Sequence, residues 1–497
     1  MEPDVQVAVI GAGFSGIGTA IALDRAGLRD WVLLEEGDGV GGAWHWNTYP
    51  GIGVDIPSFS YQFSYEQRSD WSRVYASGRE LKAYAEDCLD RYGLRSRLRL
   101  RTKVTGATYD EDAHVWRVGL AGGDDEPLTA RFVVDATGVF TQPTRPEIPG
   151  LDAFAGATMH TARWDHGQDL RGRRVAIVGT GASAVQVIPT IAPEVEQLTV
   201  FQRTPIWCMP KPDRPLGPRL QRLLGRVPGA MAVSRVASQA YVEVTFPLPA
   251  HFHGVVPAAR AAERVGLRHL RQQVDDPVVR DKLTPRYGLG CKRPAFSNEY
   301  LATFNRPNVE LVTEGIAAVE AGGVRTVDER LREADVLVLA TGFKVFDRGN
   351  MPPFPVTGRD GVDLEGWWET NRYQAYEGVS VPGFPNLFMI LGPYGYNGAS
   401  YFTLIENQAR HIVRCLAGAR DRAATAVEVT REANDRYFAT MLSRRGRQVF
   451  FAGTCSTANS YYFDQHGDAP FRAASTAEVA WRSARFPLED YRFERAA

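Results

Sequence analysis

Two stretches of this chain repeat one hydrophobic pattern. In the first, the apolar run Val7-Ala-Val-Ile10 predicts a buried strand, a small-residue segment to about Ala26 predicts a helix, and Trp31-Val-Leu-Leu34 predicts a second strand. In the second, Arg174-Val-Ala-Ile-Val178, a helix to about Ile191 and Leu198-Thr-Val-Phe201 follow in the same order. Unbroken apolar runs, rather than strict alternation, mark strands covered on both faces, and strand–helix–strand is the crossover unit of parallel sheets. Elsewhere the pattern changes. Alternation in Ala113-His-Val-Trp-Arg-Val118 predicts a half-exposed strand, and Ser77 can cap a helix running to Tyr92 with Gly93 as its stop. Two more apolar strands, Arg131-Phe-Val-Val-Asp135 and Val336-Leu-Val-Leu339, each run into Ala-Thr-Gly. Residues 213–287 read as mostly helical, and about Leu404 to Leu416 as a helix. The fold class that follows is α/β, with two repeated parallel-sheet units and a helical insert.

A glycine loop joins strand to helix in each unit. In Gly11-Ala-Gly13-Phe14-Ser15-Gly16, Gly11 permits the tight turn, Gly13 lets backbone approach a pyrophosphate, and Gly16 lets the helix pack on the sheet. Phosphate charge is favoured at the free N–H groups of the helix start. The second strand ends in Glu35, whose carboxylate can accept hydrogen bonds from ribose hydroxyls. The later loop reads Gly179-Thr180-Gly181-Ala182-Ser183-Ala184, with Gln186 on the helix it opens. No acid follows its second strand; Gln202-Arg203-Thr204-Pro205 does. A carboxylate there would repel a 2′-phosphate, whereas a guanidinium pairs with one through two hydrogen bonds, so NADPH is expected over NADH.

Composition narrows the remaining classes. The 497 residues suffice for two or three domains with real cores. A formal charge of -1 leaves no basic field for nucleic acid. The five cysteines contain no C-x-x-C pair, which predicts neither a disulfide framework nor a zinc site and argues against a dithiol reductase of the thioredoxin-reductase kind. Met1 to Asp4 lead directly into a strand, so no signal peptide is expected, and no apolar run reaches the roughly 20 residues of a membrane helix. A cytoplasmic location is the expectation, and no motif sets an oligomeric state.

Between the loops stands Phe154-Ala-Gly156-Ala-Thr-Met-His160-Thr-Ala-Arg-Trp164-Asp165. Written FxGxxxHxxxWD, it resembles the fingerprint of type I Baeyer–Villiger monooxygenases. These are single-chain FAD and NADPH enzymes that insert oxygen beside a ketone carbonyl. Related monooxygenases acting on nitrogen or sulfur usually carry a phenyl or phenol ring at the position of Trp164. Gly41-Gly42-Ala43-Trp44, followed by His45, resembles the family's flavin-side signature and implies FAD at the first loop. The Gln-Arg-Thr-Pro phrase is also shared, which implies Arg203 and Thr204 on the 2′-phosphate. Gly290-Cys-Lys292-Arg293-Pro294 resembles the family's Lys-Arg-Pro motif, implying Lys292 as a second phosphate-side cation and Arg293 as the catalytic arginine over the flavin. Asp55 matches the aspartate that pairs with this arginine; the Arg-Cys that usually precedes it is Gly53-Val54 here, both expected beside the cofactor. The same resemblance implies that Tyr61 and Val104 touch FAD, and that two Rossmann-like dinucleotide-binding domains divide the chain, one for FAD at residues 1–142 and 345–497 and one for NADPH at 143–212 and 288–344, with the helical insert at 213–287. The implied chemistry needs an arginine. The oxygen nucleophile made from O2 must stay anionic to attack a carbonyl, a fixed cation in a water-poor pocket stabilises it, and a guanidinium keeps its charge near neutral pH. His160 is expected as a hinge histidine rather than an acid–base group. The loop from Pro393 to Ser400, with Tyr394 and Tyr396, and the segment Asn459 to His466 depart from the family's phrases. The partners implied are a ketone and O2. The rival readings are an N- or S-oxygenating flavin monooxygenase and a flavoprotein reductase or oxidase that releases hydrogen peroxide.

Overall fold

The computed structural model describes residues 2–121, 126–253 and 258–496. Its larger sheet has eight strands. Val5–Ile10 lies at the centre, parallel to Trp31–Leu34 on one side and to Leu128–Asp135 on the other. Lys103–Asp110 and Val115–Ala121 extend the sheet in antiparallel fashion. The second half of the chain returns to the same sheet: Leu387–Met389 pairs in parallel with Val133 to Asp135, and Val356–Thr357 adds to Lys103–Asp110. The half-exposed strand begins at Val115, later than its alternation suggested, because His114 adopts a left-handed φ of 53° and turns the chain just before it.

A second sheet has five strands, ordered Val309–Val312, Gln197–Phe201, Arg174–Val178, Val336–Leu339 and Ala157–His160, all parallel. Its central strand is the start of the second glycine loop. Both sheets solve the same turn the same way. The Gly11 N–H donates to the Leu34 carbonyl, and that of Gly179 donates to Phe201. Ala136 N donates to Ile10 and Ala340 N to Val178. Gly11 and Gly179 sit at φ of 100° and 109°, and a Cβ on either would meet the carbonyl oxygen of Ala136 at 2.8 Å or of Ala340 at 2.5 Å. Each Ala-Thr-Gly turn therefore abuts its glycine loop, which gives one physical reason for both duplicated motifs.

Helix Phe14–Arg25 is buried along most of its length and packs on Tyr401–Asp421, which runs beyond the predicted 404–416 at both ends. The predicted capping box at Ser77 is present, with Glu80 reciprocating. The segment 213–287 contains helices Pro218–Arg226, Ala230–Thr245, Pro247–His251, Ala258–Gln273 and Pro277–Lys282. The returning half is pinned by a buried charge cluster. Glu377 accepts from both Arg472 and Arg482, with Glu377 and Arg472 essentially inaccessible to water. Burial alone would push the Glu377 carboxyl up, but the two guanidiniums outweigh it and hold it below its usual range.

One expectation is corrected. Cys291 and Cys455 form a disulfide with Cα atoms 5.2 Å apart, across 164 residues of sequence. Spacing rules register local pairs only, and this pair is brought together by the return of the C-terminal segment over the Lys292–Arg293 loop. Cys88, Cys208 and Cys415 are free and buried. Thiol titration of the denatured, unreduced protein is expected to count three thiols; five would contradict the bond.

Candidate active site

At the first loop the helix Phe14–Arg25 begins without a side-chain cap. Among the described residues, no acceptor serves the N–H groups of Phe14 and Ser15, which is the donor set an anion at a helix start requires. The Phe14 ring is packed against Phe402 at 4.6 Å, so this residue offers backbone rather than side chain. Glu35 Oε2 accepts from Ala12 N and Oε1 from Gly37 N, both at 2.8 Å. Burial raises its carboxyl pKa against those bonds. Gly42 has φ of 55° and lies on Gly13, where a Cβ would come within 3.0 Å of the Gly13 Cα. The two glycine turns thus form one cradle for an extended phosphate-bearing ligand. A short helix, Ala43–Trp46, follows; His45 pairs with Asp38 at 3.0 Å and the Trp44 ring stands edge-on to Tyr61. Val104 is buried in the strand Lys103–Asp110, next to Thr102, whose N–H donates to the Glu35 carbonyl.

The second loop is more open. Gly181 and Ala182 are exposed, and a Cβ at Gly181 would touch nothing. Thr180 Oγ1 donates to the Thr204 carbonyl at 3.2 Å, tying the loop to the end of Gln197–Phe201. Ser183 follows at the helix start. Gln186, expected at the cofactor, spends its amide on protein: Gly53 N donates to its Oε1 at 3.0 Å and its Nε2 donates to Gly53 O at 3.1 Å. It joins the two glycine-loop units. Arg203 is exposed and has no carboxylate partner among the described residues. Lys292 lies close enough to Arg203 that, after burial, this neighbour is the second cause lowering its pKa to about 8. Two cations held together without an acid fit a phosphate.

Arg293 and Asp55 meet where the two units face each other. Arg293 Nε donates to Asp55 Oδ2 at 2.7 Å and Nη2 to Oδ1 at 2.9 Å, a bidentate pair. Burial would raise the Asp55 carboxyl, yet Arg293, and then Lys211, hold it below the usual range. Two contacts here were not legible in the sequence. Arg293 Nη1 donates to the Tyr396 hydroxyl at 3.0 Å, so the guanidinium is clamped on both flanks. Lys211 Nζ donates to the Val54 carbonyl at 3.2 Å, beside the departure from the family phrase. The pair opens into a cleft whose walls include Ile56, Pro57, Val242, Phe246 and Phe296. These apolar walls limit water around the cation. Such an arrangement can stabilise negative charge developing on an oxygen of a neutral, apolar ligand.

His160 stands apart from this cleft. Its Nδ1 accepts from Ala162 N at 3.0 Å and its Nε2 lies 3.3 Å from Thr341 Oγ1, beside the second Ala-Thr-Gly turn. Burial first, and Arg163 second, bring its pKa down to about 4, so it is neutral at physiological pH. Among the described residues, no helix is long and apolar enough to cross a membrane.

Comparison with known proteins places these features. Residues 8–245 match the family described as pyridine nucleotide-disulphide oxidoreductase. A Baeyer-Villiger monooxygenase of Pseudomonas aeruginosa is 36% identical, over 91% of this chain and 84% of that protein. One from Streptomyces coelicolor is also 36% identical, over 99% of this chain and 93% of its own length. Among solved structures, the complex of OTEMO with FAD and NADP superposes with a TM-score of 0.87 at 28% identity, covering 99% of this chain and 100% of that one. A closed structure of cyclohexanone monooxygenase gives 0.84 at 33% identity, covering 99% of each chain. With the doubled glycine-loop architecture and the Arg293–Asp55 pair already in place, these relationships establish that the chain belongs to the Baeyer–Villiger monooxygenase family.

Proposed function

We propose that this chain oxidises a ketone to an ester or lactone with NADPH and O2, placing one oxygen atom in the product and the other in water. The observation that carries the reading is Arg293, clamped by Asp55 at the base of an apolar cleft between two dinucleotide cradles. FAD would lie along Gly11, Gly13, Phe14, Ser15, Gly16 and Glu35, with Gly42, Ala43, Trp44 and His45 over it and Tyr61 and Val104 alongside. NADPH would take Thr180, Gly181, Ala182 and Ser183 at its pyrophosphate, and Arg203, Thr204 and Lys292 at its 2′-phosphate. Bound FAD, reduced by NADPH, supplies the activation of O2. The chain's own residues do the rest. Asp55 orients the guanidinium and balances its charge. Arg293 stabilises negative charge at the carbonyl oxygen and cannot surrender its proton to quench an anionic nucleophile. The apolar cleft walls, with cofactor and substrate seated against them, would exclude water from the Arg293–Asp55 pair.

The test is isotopic. With purified holoenzyme, NADPH and a cyclic ketone under 18O2, one labelled oxygen is expected in the ester for each NADPH consumed. Unlabelled ketone with stoichiometric hydrogen peroxide would instead establish an oxidase, and oxygen delivered to an amine or thioether but never to a ketone would establish the N- or S-oxygenating rival.

Cofactor preference gives a second prediction. Arg203→Ala is expected to weaken NADPH by roughly 10- to 100-fold, the worth of a charged hydrogen-bonded pair, and to leave NADH unchanged. Lys292 adds a pH signature. Its pKa is lowered to about 8 in the free protein, and pairing with a phosphate raises it again, so the protonated form is the binding form. NADPH affinity should therefore fall as pH rises through about 8, and titration of binding should lose that inflection in Lys292→Met.

A further inference from the structure

The helical insert carries an apolar face that nothing in the described chain covers. On the helix Ala230–Thr245, Val233, Val236, Ala237, Ala240, Tyr241 and Val244 are exposed, Val233 and Val236 to 70% and 69%. Steps of three and four residues place them in one stripe. The helix Pro218–Arg226 packs beside it and adds Leu223, with Val227 just after, both about half exposed. The exposed charges on these two helices are all arginine; Glu243, on Ala230–Thr245, is partly buried and accepts from Thr476. Between Arg214 and Tyr241 the chain has five arginines and no aspartate or glutamate. Arg235 is turned inward to Glu406, but Arg219, Arg222 and Arg226 are exposed and have no carboxylate partner among the described residues. The stripe also leads somewhere. Its last turn, Tyr241, Val242 and Thr245, joins Phe246 in lining the cleft that holds Arg293.

We propose that this face docks on an anionic lipid bilayer, with the valine stripe at the boundary between headgroups and acyl chains and the three arginines on lipid phosphates. Apolar helix faces flanked by arginine bind membranes in this way without spanning them. A second copy of the chain fits less well, because a two-fold contact would set these arginines against themselves. Docking would bring the cleft mouth to the bilayer, so that it receives apolar ketones dissolved in lipid. That last step rests on the function proposed above; the docking itself does not.

The test needs no substrate. Holoenzyme is floated with vesicles of phosphatidylcholine mixed with phosphatidylglycerol, and with vesicles of phosphatidylcholine alone. The expected result is flotation with the anionic vesicles and roughly 100-fold weaker partition onto neutral ones, the worth of three arginines. Val233→Glu with Val236→Glu should reduce anionic binding by more than about tenfold while FAD content, thermal midpoint and turnover of a small water-soluble ketone stay unchanged. Arg222→Ala with Arg226→Ala should weaken binding to the anionic vesicles alone. Failure of the wild-type holoenzyme to float with either vesicle overturns the proposal. So does a dimer in solution that Val233→Glu with Val236→Glu converts to monomer, since the face would then be occupied by a second copy. Vesicle binding without ketone turnover would refute the proposed function and leave the docking standing.

Discussion

Arg293→Ala is expected to lower ketone oxygenation by roughly 100- to 1000-fold or more while the protein still consumes NADPH and releases hydrogen peroxide. The magnitude follows from what is lost. The guanidinium is the cation at the base of the cleft, held by two bonds to Asp55 and one to Tyr396. Alanine leaves Asp55 as a lone carboxylate facing an oxygen that is becoming negative. NADPH binding should change little, because Arg203 and Lys292 remain. Arg293→Lys should not rescue, since a point charge cannot reproduce the bidentate fork. The decisive measurement is ester formed per NADPH consumed, followed together with hydrogen peroxide. A variant that keeps its coupling would remove Arg293 from the chemistry.

Glu377→Gln should cost about 3–5 kcal/mol of stability, the usual penalty for removing one partner of a buried ion pair. Arg472 is fully buried, and its Nε and Nη1 have no acceptor among the described residues, so Glu377 is what answers its charge. The variant would leave two guanidiniums, Arg472 and Arg482, without a counter-charge. The pH dependence has a definite sign. The Glu377 pKa is lowered in the folded protein, so its contribution is present above the unfolded value, about 4.3, and is lost as pH falls through the folded value below that. Wild type and variant should thus converge in denaturation midpoint under acid and separate near neutrality; a constant gap would mean that packing, not charge, sets the effect. The damage should also reach the active site. Arg472 N donates to the Tyr396 carbonyl at 2.8 Å, on the residue whose hydroxyl flanks Arg293.

The glycine loops were legible because local backbone geometry forces them: at Gly11 and Gly179 a neighbouring carbonyl leaves no room for a side chain. The family fingerprint then carried the identification of FAD and the roles proposed for Lys292, Arg293 and Asp55, which composition and periodicity could not supply. What stayed hidden depends on residues far apart in sequence. Nothing around Cys291 signals Cys455, and nothing in Pro210-Lys211-Pro212 signals a cation on the Val54 carbonyl. Gln186 likewise has a partner that its position in the loop did not signal. Its amide is engaged by the Gly53 backbone, more than a hundred residues earlier in the chain.

The strand Leu387–Met389 has a consequence for how the protein is made. It completes the edge of Leu128–Asp135 in the sheet that bears the first glycine loop, yet about 250 residues of chain separate the two strands. At roughly 5–20 residues per second, the ribosome takes some tens of seconds to supply it. Throughout that interval Val133 and Val134, fully buried in the finished protein, belong to a strand with open hydrogen-bonding positions. The second sheet, contained between Ala157 and Leu339, can close sooner. The sheet that bears the first glycine loop is therefore begun first and completed last, and until its C-terminal strand emerges it offers an open edge to other chains.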